Sequence, residues 1–141
     1  MCDVNIRTKY TTRIVYKVVH KIADKYYALY SGLPIRIGNV DKRWRLSKLK
    51  ESIQDKYDFS SFTSDNWSYN RNIIGKTTGF TDLKAANILK RESHREDKTI
   101  LKMKLGGEIW KGTSRNILSE HFDNYIVYAG SEILSFEEIK Q

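Results

Sequence analysis

Arg13-Ile14-Val15-Tyr16-Lys17-Val18-Val19-His20 is the stretch that decides the fold class. β-Branched and aromatic side chains crowd this run, the composition that fits a pleated, packed surface and predicts a strand. Ile14, Tyr16 and Val18 fall on one face and Val15, Lys17 and Val19 on the other, because side chains alternate along a strand. Both faces are mostly apolar, so the strand is expected at the centre of its sheet. Ala23-Asp24 then supplies a turn, and Lys25 to Ser31 reads as a second strand that completes a hairpin. Gly32-Leu33-Pro34 breaks it, and Ile35-Arg36-Ile37 is expected to form a short third strand at an edge or corner.

Outward from this hairpin the pattern changes period. Leu46, Leu49, Ile53 and Tyr57 recur at helical spacing and predict an amphipathic helix near 44–57. Residues 58–79 are polar and broken, yet hold Phe59, Phe62, Trp67 and Tyr69. So long an irregular stretch is expected either to bind something or to stay mobile. Thr81 is the expected N-cap of a helix over Asp82–Glu92, with Lys90-Arg91 complementing the negative end of its dipole. Leu101, Met103 and Leu105 alternate with Ile100, Lys102 and Lys104 as a half-buried strand. Gly106-Gly107 is expected to end that strand, with Glu108–Lys111 as a hairpin return. Two further strands, 125–129 and 132–139, are expected to join at Gly130-Ser131. These elements predict a single α+β domain over residues 1–141: antiparallel hairpins forming a sheet or partly open barrel, with one or two packed helices.

Composition narrows the function classes. The chain has 141 residues, 40% hydrophobic and 30% charged, enough for one core of ordinary size. Its single cysteine, Cys2, excludes an intramolecular disulfide and a cysteine zinc cage. Arg7, Lys9, Arg13 and Lys17 interrupt the apolar run that a signal peptide needs, and no segment is long and apolar enough to span a membrane. A cytoplasmic location is the expectation. The net charge is +8, but residues 1–60 hold 13 Lys/Arg against 6 Asp/Glu, whereas residues 61–141 hold 12 against 11. Within 120–141 only Lys140 opposes Glu120, Asp123, Glu132, Glu137 and Glu138. A one-sided positive field draws phosphorylated ligands and polyanions. Basic and acidic ends on one chain also suit self-association into a homo-oligomer.

No catalytic constellation emerges. His20, His94 and His121 are far apart and form no metal-binding pair. Gly75-Lys76-Thr77 resembles the end of a phosphate-binding loop, but the glycine required five positions earlier is Asn70. Glu137 and Glu138 are strand neighbours that point to opposite faces, a poor acid–base pair. Neither metal nor cofactor is called for, and binding is favoured over catalysis. Lys42 to Lys50 packs five cations around Trp44, the combination that grips phosphate and stacks on a base. Arg43, Trp44, Arg45 and Lys48 are therefore candidate ligand-binding residues, and Arg115 and Asn116, after Gly112, join them. A solvated helix face explains the same charge run, packing on the hairpin explains Trp44, and a solvated turn explains Arg115.

Val15-Tyr16-Lys17-Val18-Val19 with the tyrosine-rich strand ending at Ser31, and Gly79-Phe80-Thr81-Asp82-Leu83-Lys84-Ala85-Ala86 entering a short helix, together carry a family resemblance. The chain resembles the small phage nucleotide sponges of the Thoeris anti-defence protein 1 type over about half its length. That resemblance implies a homo-oligomer in the infected bacterial cytoplasm that binds a cyclic ADP-ribose isomer or cyclic oligonucleotide without cleaving it. It adds Phe80 to the candidate ligand residues, where a core anchor before the helix is the other reading. The alternative function is a small nucleic-acid-binding or host-nuclease-inhibiting phage protein, with the basic run on the phosphates and the 59–69 aromatics on the bases. An interaction protein that assembles through its oppositely charged ends, with no ligand, is the third.

Overall fold

A computed structural model describes residues 2–29, 34–40, 75–92, 97–114 and 125–140. The central run is a ten-residue strand, β2 (Arg13–Ile22), preceded by β1 (Cys2–Arg7) and followed by β3 (Lys25–Ala28). Ala23 and Asp24 form the two-residue turn between β2 and β3, both at positive φ (49° and 64°), the geometry that matches strand twist in a tight hairpin. Ile35–Ile37 is not a strand. Pro34 makes one isolated bridge to Tyr27, and the edge strand is β4 (Gly38–Asn39). Proline lacks the N–H that a continuing ladder needs, which limits pairing there to one bridge.

β5 (Thr77–Phe80) occupies the end of the stretch expected to be irregular, and leads into α1 (Leu83–Glu92). The N-cap of α1 is Asp82, not Thr81. Asp82 Oδ1 accepts from the Lys84 amide at 2.8 Å and its carbonyl from the Ala85 amide at 3.1 Å. Thr81 instead continues the sheet, its amide donating to the Ile126 carbonyl at 3.1 Å. The helix expected near 44–57 lies outside the described residues, as do residues 58–74.

The long hairpin corrects the sequence reading most. β6 runs unbroken from Lys98 to Ser114 and β7 from Tyr125 to Ile139. They pair antiparallel from Ile100↔Ile139 to Ser114↔Tyr125, so Glu108–Lys111 is no return and Gly130-Ser131 no turn. Gly106 pairs with Glu132 and Ile109 with Gly130, leaving two residues opposite Ser131 alone. Gly107 takes φ 71° and the Glu108 amide donates to Ser131 Oγ at 2.8 Å. The glycine pair therefore makes a bulge that bends a continuing strand.

One edge of β6 carries β2 (Arg13↔Leu105 to His20↔Lys98) and then β1 (Arg7↔Trp110 to Cys2↔Ser114). β7 carries β5 and β4 on its far edge. The pair Tyr16↔Phe80 joins β5 back to β2, so β6, β2, β5 and β7 close into a ring within the seven-stranded sheet. Lys17 Nζ reinforces this seam by donating to the Thr78 carbonyl at 2.8 Å.

Alternation divides the core between the two faces. Val18, Phe80, Ile100, Val127 and Ala129 pack with Ala85 and Ala86 of α1. Val15, Val19, Leu101, Met103, Leu105, Ile109, Tyr128 and Ile133 form the second cluster. A two-sided core around a central β2 and a strand-rich α+β architecture are as the sequence leads one to expect. A register shift between Val4 and Ile6 turns Val4 fully inward and leaves Ile6 more than half exposed.

Candidate functional site

One end of the ring gathers charge. There Lys21 lies next to the end of β2, Asp97 precedes Lys98-Thr99 at the start of β6, Lys140 follows Glu138-Ile139 at the end of β7, and the last turn of α1 presents Lys90. Together they line an open cleft of about 380 Å³. The ladders β2–β6 (His20↔Lys98) and β6–β7 (Ile100↔Ile139) fix three of these segments against one another.

The two carboxylates of the cleft are committed to partners within the fold. Glu138 accepts from Thr99 Oγ1 at 2.8 Å, Lys21 Nζ at 3.0 Å and Tyr26 OH at 3.2 Å. The Lys21 hydrogen bond, then that of Thr99, holds its carboxyl below the usual value, against an opposing desolvation. Lys21 is raised by the same bond. Tyr26 is raised first by burial and then by the Glu138 charge. Asp97 Oδ2 accepts from Nδ1–H of His20 at 2.9 Å, and His20 is 1% exposed. A carboxylate can only accept, which fixes the proton on Nδ1.

Among the described residues, neither Lys90 nor Lys140 makes an ion pair. Lys21 pairs with Glu138 and Lys98 is buried, so Lys90 and Lys140 supply the positive surplus of the cleft, which suits phosphate. An ammonium binds phosphate as a mobile point charge, so such a cleft selects for charge and size rather than for one fixed orientation.

A second polar cluster is partnered within the fold. Glu108 accepts from Trp110 Nε1 at 2.9 Å and lies 3.5 Å from Arg7 Nε and 3.7 Å from Lys76 Nζ. Trp110 chiefly, then Lys76, lowers its pKa. It ties β1 and β6 to the residue before β5.

Of the residues singled out from sequence, Arg43, Trp44, Arg45, Lys48, Arg115 and Asn116 lie outside the described residues. Phe80 is 7% exposed, sits in the cluster beneath α1 and meets Tyr125 edge-on at 6.4 Å. Its described position is that of the core anchor before the helix. The lysines of the cleft were missed because they are scattered from position 21 to position 140, each at the end of an element. Only the last-turn Lys90 carried a local signal, as a helix-dipole partner. Among the described residues no group of His, Cys, Asp and Glu could hold a metal ion, and no helix is long and apolar enough to cross a membrane. Comparison with family models, curated proteins and solved structures finds no match to the chain.

Proposed function

We propose that this protein sequesters a small anionic nucleotide, in the manner implied by its resemblance to phage nucleotide sponges, and releases it unchanged. The observation that supports this reading is the cleft of Lys21, Lys90, Lys98 and Lys140, whose two carboxylates are already bonded inside the fold. A cyclic ADP-ribose isomer or a cyclic oligonucleotide supplies two or more phosphates to such a surface. Its retention needs charge and enclosure and no reacting group. Self-association belongs to the same proposal and rests on the basic first 60 residues and the acidic C-terminal end.

The test is mass spectrometry of what the protein retains after mixing with cyclic ADP-ribose isomers and cyclic dinucleotides, followed by heat release. Recovery of an intact, stoichiometric nucleotide is expected. Lys90→Glu with Lys140→Glu should weaken its retention by about tenfold or more, since two attractive contacts become repulsive. Titration with DNA and RNA oligonucleotides supplies the opposing outcome. Tight oligonucleotide binding that falls steeply with salt, with no small nucleotide retained, overturns the reading in favour of a nucleic-acid binder.

A further inference from the structure

At the opposite end of β2, Arg13 has chemistry that neither the core nor the lysine cleft uses. It lies on the face of β2 that carries Val15, in register with Leu105. Its guanidinium carbon sits 3.3 Å from the centre of the Tyr10 ring and 5.2 Å from that of Tyr128. The two rings meet edge to face, with centroids 6.1 Å apart and planes at 80°. Stacking on Tyr10 fixes the plane of the guanidinium and leaves its N–H donors pointing outward within that plane.

Those donors are not spent inside the fold. Arg13 Nε is buried, and no described residue accepts a hydrogen bond from it. No described carboxylate forms an ion pair with Arg13. A desolvated guanidinium donor without an acceptor is costly, and a native structure that keeps one has a reason to do so. The platform reaches solvent, since Tyr10 is 49% exposed. Lys111 pairs with Tyr128 across β6 and β7 and therefore stands on the same face, also without a described ion pair.

The geometry points to an oxyanion site at Arg13 for a phosphate monoester, gripped by the stacked guanidinium fork and helped by Lys111. The fork matches two oxygens of one phosphate, and the second cation matches its second charge. A monoanionic carboxylate satisfies the fork but leaves Lys111 unanswered, so phosphate is preferred over carboxylate. The site is separate from the lysine cleft: Arg13 and Lys21 are eight residues apart on one strand, about 26 Å.

The full chain labelled with ¹⁵N-arginine, its Nε–H spectrum followed during titration with inorganic phosphate and, in parallel at constant ionic strength, with acetate, tests this. The Arg13 signal is the one lost in Arg13→Lys, or in Arg13→Gln should the lysine variant not fold. Phosphate should move that signal saturably, and acetate should bind about tenfold more weakly. Phosphorus relaxation of the titrant should show binding reduced about tenfold in Arg13→Lys, which keeps the charge but not the fork. Tyr10→Leu, which removes the stack alone, should weaken it in the same direction. An Arg13 signal unmoved by phosphate, or equal affinity for acetate, overturns the assignment. So does loss of the shift in Lys90→Glu/Lys140→Glu, which would place the phosphate in the cleft. The cleft proposal fails separately, if no nucleotide is retained while the Arg13 signal still responds.

Discussion

Replacing Gly79 with alanine should open the seam that closes the ring. A Cβ at this position would lie 2.6 Å from Val15 Cγ2, 2.8 Å from Val15 Cβ and 3.2 Å from the Tyr16 carbonyl oxygen. Carbon atoms in good contact sit about 3.5–4.0 Å apart, so the shortfall against Val15 Cβ is at least about 0.7 Å. Rotating Val15 moves Cγ2 but not Cβ, and Val15 is fully buried with a stiff χ1. β2 and β5 must therefore separate where Tyr16↔Phe80 is their paired register. Overpacking of this kind costs about 1–3 kcal/mol, while restricting the unfolded chain at a glycine returns about 0.4–1 kcal/mol. The steric cost wins, for a net loss of about 1–2 kcal/mol and a Tm lowered by about 5 °C.

Urea unfolding with unchanged m-value, together with calorimetry, measures the effect. Val15→Ala in the Gly79→Ala background removes the Cγ2 contact but not the Cβ contact, so it should recover only part of the loss and the pair should be non-additive. Gly106→Ala is the internal comparison. There the three atoms nearest the Cβ all belong to the Leu134 side chain, at 3.0–3.2 Å, and can shift, so the loss should be the smaller. Gly79→Ala as stable as the wild type, or more so, would refute the seam geometry.

Two further outcomes follow from the turn and the ion pairs. Ala23 and Asp24 both occupy the left-handed region, so Ala23→Asn with Asp24→Gly should stabilise the β2–β3 hairpin by about 1–2 kcal/mol in urea unfolding; no gain contradicts the turn. Glu138 and Glu108 are held below the ordinary carboxylate value of 4.5 in the fold, chiefly by hydrogen bonds from Lys21 and Trp110. Unfolding then takes up protons in acid, so the urea midpoint should hold above that value and fall as pH drops through it, with a shallower fall in Glu138→Gln. At the alkaline end the sign reverses. Lys21 is raised above 10.5, and the stability it contributes below that value is lost as pH rises past its folded pKa. A midpoint indifferent to acid would dispose of both carboxylate assignments.

What the sequence made legible was whatever local periodicity specifies. β2 could be read because β-branched and aromatic residues crowd both of its faces, and the first half of β6 because buried Leu101, Met103 and Leu105 alternate with exposed Lys102 and Lys104. α1 could be read because its apolar spacing and last-turn cations agree, although the cap fell one residue later, on the side chain that reaches the Lys84 amide. The Gly106-Gly107 step could not be settled locally. A tight turn and a bulge both use a glycine at positive φ, and only the partner strand, with Ser131 opposite the extra residue, distinguishes them. β1 escaped notice for a related reason. Its register shift puts Val4 and Ile6 on different faces, which breaks the alternation that announces a strand. The cleft is a product of topology, since lysines separated by more than a hundred positions meet only after β2, β6 and β7 pair. Contiguous charge is what a sequence displays, and so the run at 42–50 drew the attention that Lys90 and Lys140 did not.

The topology also separates what stabilises the fold from what shapes the cleft. Lys21, Lys98 and Lys140 are held by the β2–β6 and β6–β7 ladders, which run to His20↔Lys98 and Ile100↔Ile139 beside the cleft. The ring is closed elsewhere, at Tyr16↔Phe80, five residues back along β2 from Lys21, or about 16 Å. Opening that seam therefore removes stability without moving Lys21, Lys98 or Lys140, because neither of their ladders passes through β5, while Lys90 stays with α1, which packs on β2 and β6 as well as on β5. Gly79→Ala should melt earlier yet retain ligand as well as the wild type at temperatures where both are folded, whereas Lys90→Glu/Lys140→Glu should do the reverse. If Gly79→Ala lost ligand in step with stability, the cleft would depend on ring closure, and the two ladders would not be what positions its cations.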